Sequence, residues 1–160
     1  MADDATIELL DSTLRDGAQA ESISYSVNDK LEIARALDDL GVALVEAGNP
    51  GSNPKDGEFF ARARSLSLRN AKVVAFGSTC RPDLAPEADP QLLSLAAAGT
   101  EVVSLVGKAW RFHVDRILKT TAVENLRMVR DSVAWLVSMA VCVLPEMSCH
   151  FRSCSSRSRC

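Results

Sequence analysis

What most constrains this chain is a repeat of form rather than of sequence. Four times before residue 137, an apolar run of strand length gives way to a polar loop and then to helical spacing. The units recur at intervals of roughly 30 residues, the length of one strand–helix unit. Such alternation dictates a parallel sheet. Each helix must carry the chain back before the next strand begins, and the crossover is right-handed. Strands are expected over 7–10, 42–46, 72–76 and 101–106. A parallel strand is buried on both faces and so reads as a continuous apolar run, as Val42-Ala43-Leu44-Val45 and Val73-Val74-Ala75-Phe76 do. Two architectures satisfy the pattern. One is an open sheet of four or five strands, and the other is the first half of an eight-fold barrel, whose usual length is ~250 residues.

The helices carry their own boundary signals. Ser26, with Asp29 three residues on, forms a weak capping box. Val27, Leu31, Ala34, Leu37 and Leu40 follow at helical spacing, and Gly41 stands where a left-handed cap is expected. Helical spacing resumes over 55–69 through Phe59, Phe60, Ala63 and Leu66. Asp89 caps a helix that has Pro90 at its first position and stops at Gly99. Thr121 and Glu124 form a capping box for a helix over 122–136, with Leu126, Val129, Val133 and Leu136 as its expected inner stripe.

Composition narrows the class. The chain has 160 residues, 47% hydrophobic and 24% charged, as expected for one globular domain. A net charge of −3 offers no basic surface to nucleic acid or an anionic membrane. No apolar run reaches the ~20 residues that span a bilayer. The acidic start Met1-Ala2-Asp3-Asp4-Ala5 resembles neither a secretory nor a transit signal, so the cytoplasm is the expected compartment. Four of the five cysteines (Cys142, Cys149, Cys154 and Cys160) lie after residue 141, and their spacings do not fit the tight pairs of a structural zinc site.

Candidate chemistry sits where strands are expected to end. The first strand runs into Asp11-Ser12-Thr13-Leu14-Arg15-Asp16-Gly17-Ala18-Gln19. Arginine offers a planar fork that matches a carboxylate or keto acid, and aspartate offers hard oxygens to a divalent cation. The same pair also reads as a solvated turn, since exposed charge pairs are common and weak. Glu46 closes the second strand and reads either as a site residue or as a cap. Ser78 and Thr79 follow the third strand and either line a pocket or close a turn. Lys108 reads more simply as a solvated lysine than as a phosphate contact, and His113 as a structural residue rather than a ligand.

The stretch from Asp11 to Gln19 resembles the signature D-T-T-L-R-D-G-x-Q of the 2-isopropylmalate, homocitrate and citramalate synthases and the hydroxymethylglutaryl-CoA lyases. Glu46-Ala47-Gly48-Asn49-Pro50-Gly51-Ser52-Asn53-Pro54-Lys55-Asp56 is similar to the citramalate branch's G-x-P-G-S-N-P-K-D, and Phe76 to Thr79 and Val106 to Val114 are similar to its third and fourth loops. The resemblance covers about residues 6–136. It implies an α/β fold: a partial (β/α)8 TIM barrel of about the first four βα units, followed by an irregular C-terminal tail. It implies an acyltransferase that condenses acetyl-CoA with a 2-keto acid, pyruvate for the citramalate branch, in isoleucine and leucine biosynthesis. A divalent metal (zinc, magnesium or manganese) would polarise the keto carbonyl. Asp16 would be a metal ligand, Arg15 would hold the keto oxygen, Glu46 would orient Arg15, and Gln19, Ser78 and Thr79 would contact substrate. The partners implied are small molecules and a homodimer partner, with no nucleic acid and no membrane.

The chain also departs from that family. It has only His113 and His150, and no H-x-H motif to complete a metal site. After residue 136 no turn is legible, and no fifth strand with an acidic motif is expected. Residues 137–160 therefore read as an aberrant Cys/Ser/Arg-rich tail, the product of a shifted frame or a disordered segment, behind a domain over 6–136. The expectation is a truncated synthase that is inactive alone and self-associates. Alternatives are an isopropylmalate or homocitrate synthase, a lyase, or a non-catalytic half-barrel bound to a full-length subunit.

Overall fold

A computed structural model describes residues 7–148. Five strands, β1 (Leu10–Asp11), β2 (Leu44–Glu46), β3 (Lys72–Ser78), β4 (Val102–Lys108) and β5 (Cys142–Ser148), alternate with four helices, α1 (Val27–Leu40), α2 (Pro54–Ala63), α3 (Pro90–Ala98) and α4 (Ala122–Ser138). The sheet order is β1-β2-β3-β4-β5, and every pairing is parallel. Sequential order with helical crossovers is how a (β/α) barrel grows, and the sheet is an α/β half-barrel, one of the two architectures the repeat allowed and the one the family resemblance implied.

Two faces of the sheet follow from the pleat. A Cβ on Gly77 would lie 2.6 Å from a methyl of Leu95 on α3, so that position faces the helices. Alternate residues Val45, Ala75 and Val103 share the outer side and are fully buried with Leu31, Ala34, Phe59, Leu92, Leu95 and Leu136 in the core. Only glycine lets α3 come this close to the strand. Glu46, Val74, Phe76, Ser104, Leu144 and Glu146 have the opposite parity and face the concave side.

The caps form with one exception. Ser26 and Asp29 reciprocate fully, making a stronger box than the sequence reading gave. Asp89 accepts from the N–H groups of Gln91 and Leu92. Thr121 accepts from the Glu124 N–H, but Glu124 does not reciprocate. Its carboxylate takes Arg127 and the Asp83 N–H instead, and Arg127 holds its pKa down to about 2. Arg127 also donates to the Leu84 carbonyl, tying α4 to the loop after β3.

Several boundaries differ from expectation. β1 is only Leu10–Asp11, leaving Ile7 and Leu9 exposed, and α2 stops at Ala63 rather than near residue 69. The inner face of α4 is Asn125, Met128, Ser132 and Leu136, and Leu126 is 67% exposed. Polar anchors rotate the helix: Asn125 donates to the Lys108 carbonyl, and the Ser132 hydroxyl accepts from the Cys80 N–H.

The largest difference follows residue 136. Helix α4 continues to Ser138, the chain turns at Met139 and Ala140, and β5 then pairs with β4 from Val102↔Cys142 to Lys108↔Ser148. Ala140 takes the left-handed φ of 60° without being glycine, so the stop signal is invisible in the sequence. Pro145 also argues against a strand, but β5 is an edge among the described strands, where a missing N–H is tolerated. The Cys/Ser/Arg-rich stretch from residue 149 onward lies outside the described residues.

Candidate functional site

Chain geometry brings the β1 exit loop over the end of β2. The Ser12 carbonyl accepts the N–H groups of Arg15, Asp16 and Gly17, which folds the loop into a tight turn. Leu14 is fully buried beneath it and anchors it to the core. Arg15 is thereby aimed at Glu46, and its Nε donates to Glu46 Oε2 at 2.6 Å. The guanidinium lies over the Phe76 ring, 4.2 Å from its centroid. Its Nη1 reaches Asp16 Oδ1 at 3.3 Å, and its Nη2 lies 3.9 Å from Glu146 Oε2. A charge-assisted bond on one side and an aromatic face below leave the fork little freedom.

Glu46 is fully buried. Burial pushes its carboxyl pKa up, and the Arg15 hydrogen bond works against that shift. Its Oε1 and the Ser104 hydroxyl are both buried without a hydrogen bond of good geometry, although Ser104 lies close enough to draw the pKa down. A buried carboxylate beside a buried hydroxyl in a concave interior marks a place where polarity is kept at a cost.

A pocket of about 780 Å³ opens beside Arg15, between the loops after β1 and β2. Leu14, Arg15, Gln19, Tyr25, Asn49 and Phe76 form part of its wall. Arg15 and Gln19 line this pocket, while Asp16, its side chain 65% exposed, and the fully buried Glu46 do not line it but each contact Arg15. Ser78 and Thr79 do not wall this pocket. Ser78 is exposed at the end of β3, and Thr79 is buried with its N–H donating to the Val106 carbonyl. Lys108 is half-buried, and His113 packs edge-on against Trp110 with its Nδ1 buried and unpartnered.

Three participants were not legible in advance. Phe76 reads as strand core and Ser104 as an ordinary strand serine. Glu146 sits on β5, a strand not expected from the sequence pattern, so an acidic residue stands on a fifth strand after all. A signal existed: Cys142-Val143-Leu144-Pro145-Glu146 is an apolar run ending in a carboxylate, the form of Val42 to Glu46.

A divalent ion needs several ligands of fixed geometry. Among the described residues, no three His, Cys, Asp or Glu side chains converge to hold one. Asp16 is a single exposed carboxylate already paired with Arg15. The residues present therefore do not by themselves fit a metal.

A family model described as HMGL-like matches residues 6–156. The (R)-citramalate synthases of Aquifex aeolicus and a Synechocystis strain are 48% and 50% identical over 130 residues. Each alignment covers 81% of this chain, but only 25% and 24% of those proteins. The chain thus spans about a quarter of the length of the curated relatives it matches. A 2-isopropylmalate synthase of Vibrio cholerae is 33% identical over 133 residues, 83% of this chain and 23% of that protein. The crystal structure of hydroxymethylglutaryl-CoA lyase from Pseudomonas aeruginosa superposes with a TM-score of 0.66 at 20% identity, covering 88% of this chain and 45% of that chain. That likeness shows the barrel fold.

Proposed function

The chain belongs to the HMGL-like family, and from that premise we propose that it is the N-terminal segment of an acyltransferase that condenses acetyl-CoA with pyruvate to give citramalate. The observation that carries this reading is the Arg15–Glu46 pair at the mouth of the half-barrel, in a chain closer in identity to citramalate synthases than to an isopropylmalate synthase. In chemical terms, a base takes a proton from the acetyl methyl group, the methyl carbon bonds to the keto carbon, and the keto oxygen gains a proton. Water then cleaves the thioester and frees CoA. Arg15 is the donor for the keto oxygen and the charge that develops on it. Glu46 fixes Arg15 and takes no proton itself. Glu146, within 3.9 Å of Arg15 and about one-third exposed, is proposed to accept the methyl proton.

Asp16 is proposed as one ligand of a divalent metal (zinc, magnesium or manganese), the remaining ligands lying outside residues 7–148. Gln19 is proposed to contact the keto acid from the pocket wall, and Ser78 and Thr79, which lie outside that wall, are proposed to contact substrate beyond it. The place of the reaction in isoleucine and leucine biosynthesis, a homodimeric assembly and a cytoplasmic location belong to the same proposal. No helix among the described residues is long and apolar enough to cross a membrane. The Cys/Ser/Arg-rich end is proposed to contribute nothing to this site, a frame-shifted origin being tested by sequencing the coding DNA.

The test is release of free CoA from acetyl-CoA, with pyruvate and 2-oxoisovalerate compared. The chain alone is expected to be inactive. Residues 7–136, exchanged into the Aquifex aeolicus enzyme, are expected to support pyruvate-dependent release that Arg15→Gln abolishes. A chimera that prefers 2-oxoisovalerate, or whose release ignores Arg15→Gln, refutes the reading.

A further inference from the structure

Lys30 on α1 and Asp56 on α2 form a buried ion pair that the proposed chemistry does not use. Lys30 is 4% exposed and Asp56 7%. The ammonium donates to Asp56 Oδ1 at 2.6 Å and to the Ala47 carbonyl at 2.9 Å. The second carboxylate oxygen, Asp56 Oδ2, accepts the Asn49 N–H at 3.1 Å. Between these two anchors runs Gly48, with φ of 125°, so close that a Cβ would lie 2.5 Å from Asp56 Oδ2. One ion pair thus grips the backbone on both sides of the residue that follows Glu46 and Ala47.

The gripped segment touches both groups that hold Arg15. Glu46 immediately precedes it, and the Gly48 carbonyl accepts the Phe76 N–H at 2.9 Å, placing the ring beneath the guanidinium. A buried ion pair adds little stability over a well-packed apolar pair, because desolvation consumes the Coulombic gain. What an apolar pair cannot do is hold a carbonyl and an N–H at fixed points. We propose that Lys30 and Asp56 are positioning residues: their ion pair clamps residues 47–49 and thereby sets the register in which Glu46 and Phe76 present Arg15 to the pocket. This goes beyond the synthase reading, and its test needs no turnover, so either can fail without the other.

The test follows the Arg15 Nε–H resonance and the Glu46 carboxyl titration by NMR in the full 160-residue chain. The volume-matched variant K30M/D56L is expected to keep a cooperative melt. Its Arg15 Nε–H should exchange about tenfold faster than in the native chain as the site opens locally. Its Glu46 titration should move back toward the ordinary carboxylate range as solvent reaches it. Should K30M/D56L not melt cooperatively, D56N decides, since it keeps shape and an acceptor for Asn49 while removing the charge that holds Lys30. The same two shifts are expected there. A folded variant with native exchange and native titration overturns the proposal. Unfolding of both variants overturns it too, since the pair would then serve stability rather than position.

Discussion

At the scale of single residues, the site is governed by a carboxylate that cannot reach water. Glu46 is fully buried, and among the described residues Arg15 is its one cationic contact in hydrogen-bond range. Replacing Arg15 with alanine strands that charge and is expected to cost about 3 kcal/mol, read from urea melts at neutral pH. The sign of the pH dependence is fixed. The folded pKa of Glu46 lies above the ordinary value because of burial, and loss of Arg15 raises it further. Its contribution is therefore fully present below the ordinary carboxylate pKa and is lost as pH rises through the raised value. The variant is expected to be relatively more stable near pH 4 than near pH 8, and a flat difference would remove burial as the cause. Asp38 has the opposite sign. Its carboxylate accepts N–H groups of Arg69, Ala71 and Asn70, which lower its pKa. Its contribution is present above the ordinary pKa and lost as pH falls through the lowered one. The melting-temperature gap between the native chain and Asp38→Asn is accordingly expected to close in acid.

At the scale of elements, the test is which face each one presents. Leu126→Lys on α4 is expected to change stability by less than about 0.5 kcal/mol, because Leu126 is 67% exposed. Leu136→Ala, at a fully buried position of the same helix, is expected to cost about 3 kcal/mol. Equal losses in paired denaturant melts would restore the stripe that the sequence suggested. The turn after β2 is stricter. Gly48→Ala forces a side chain into φ of 125° against the Asp56 carboxylate, and about 2 kcal/mol of destabilisation is expected.

At the scale of the whole molecule, β1 and β5 each have a partner on one side only among the described strands. Ile7, Leu9 and Leu10 are exposed beside the short β1 edge. Unpaired parallel edges recruit other strands. Sedimentation is expected to show species heavier than 17.2 kDa that grow with concentration. A monomer at every concentration, melting cooperatively, would contradict this.

The sequence alone determined the parallel α/β alternation, three of the four helix N-caps, the glycine stops of α1 and α3, and the placing of Arg15, Asp16 and Glu46 at strand ends, whereas the meeting of Glu46 with Arg15 was implied only by the family resemblance. These are legible because they depend on local physics: the spacing of apolar residues, a side chain that can reach a nearby N–H, a backbone that needs glycine. Only the tertiary structure decided that Leu126 faces solvent, that Lys30 and Asp56 meet inside, and that a fifth strand carries Glu146 to Arg15. Each of those depends on partners 17 to 131 residues away, and the free energy of such a contact is set by what desolvates it, which no local pattern records.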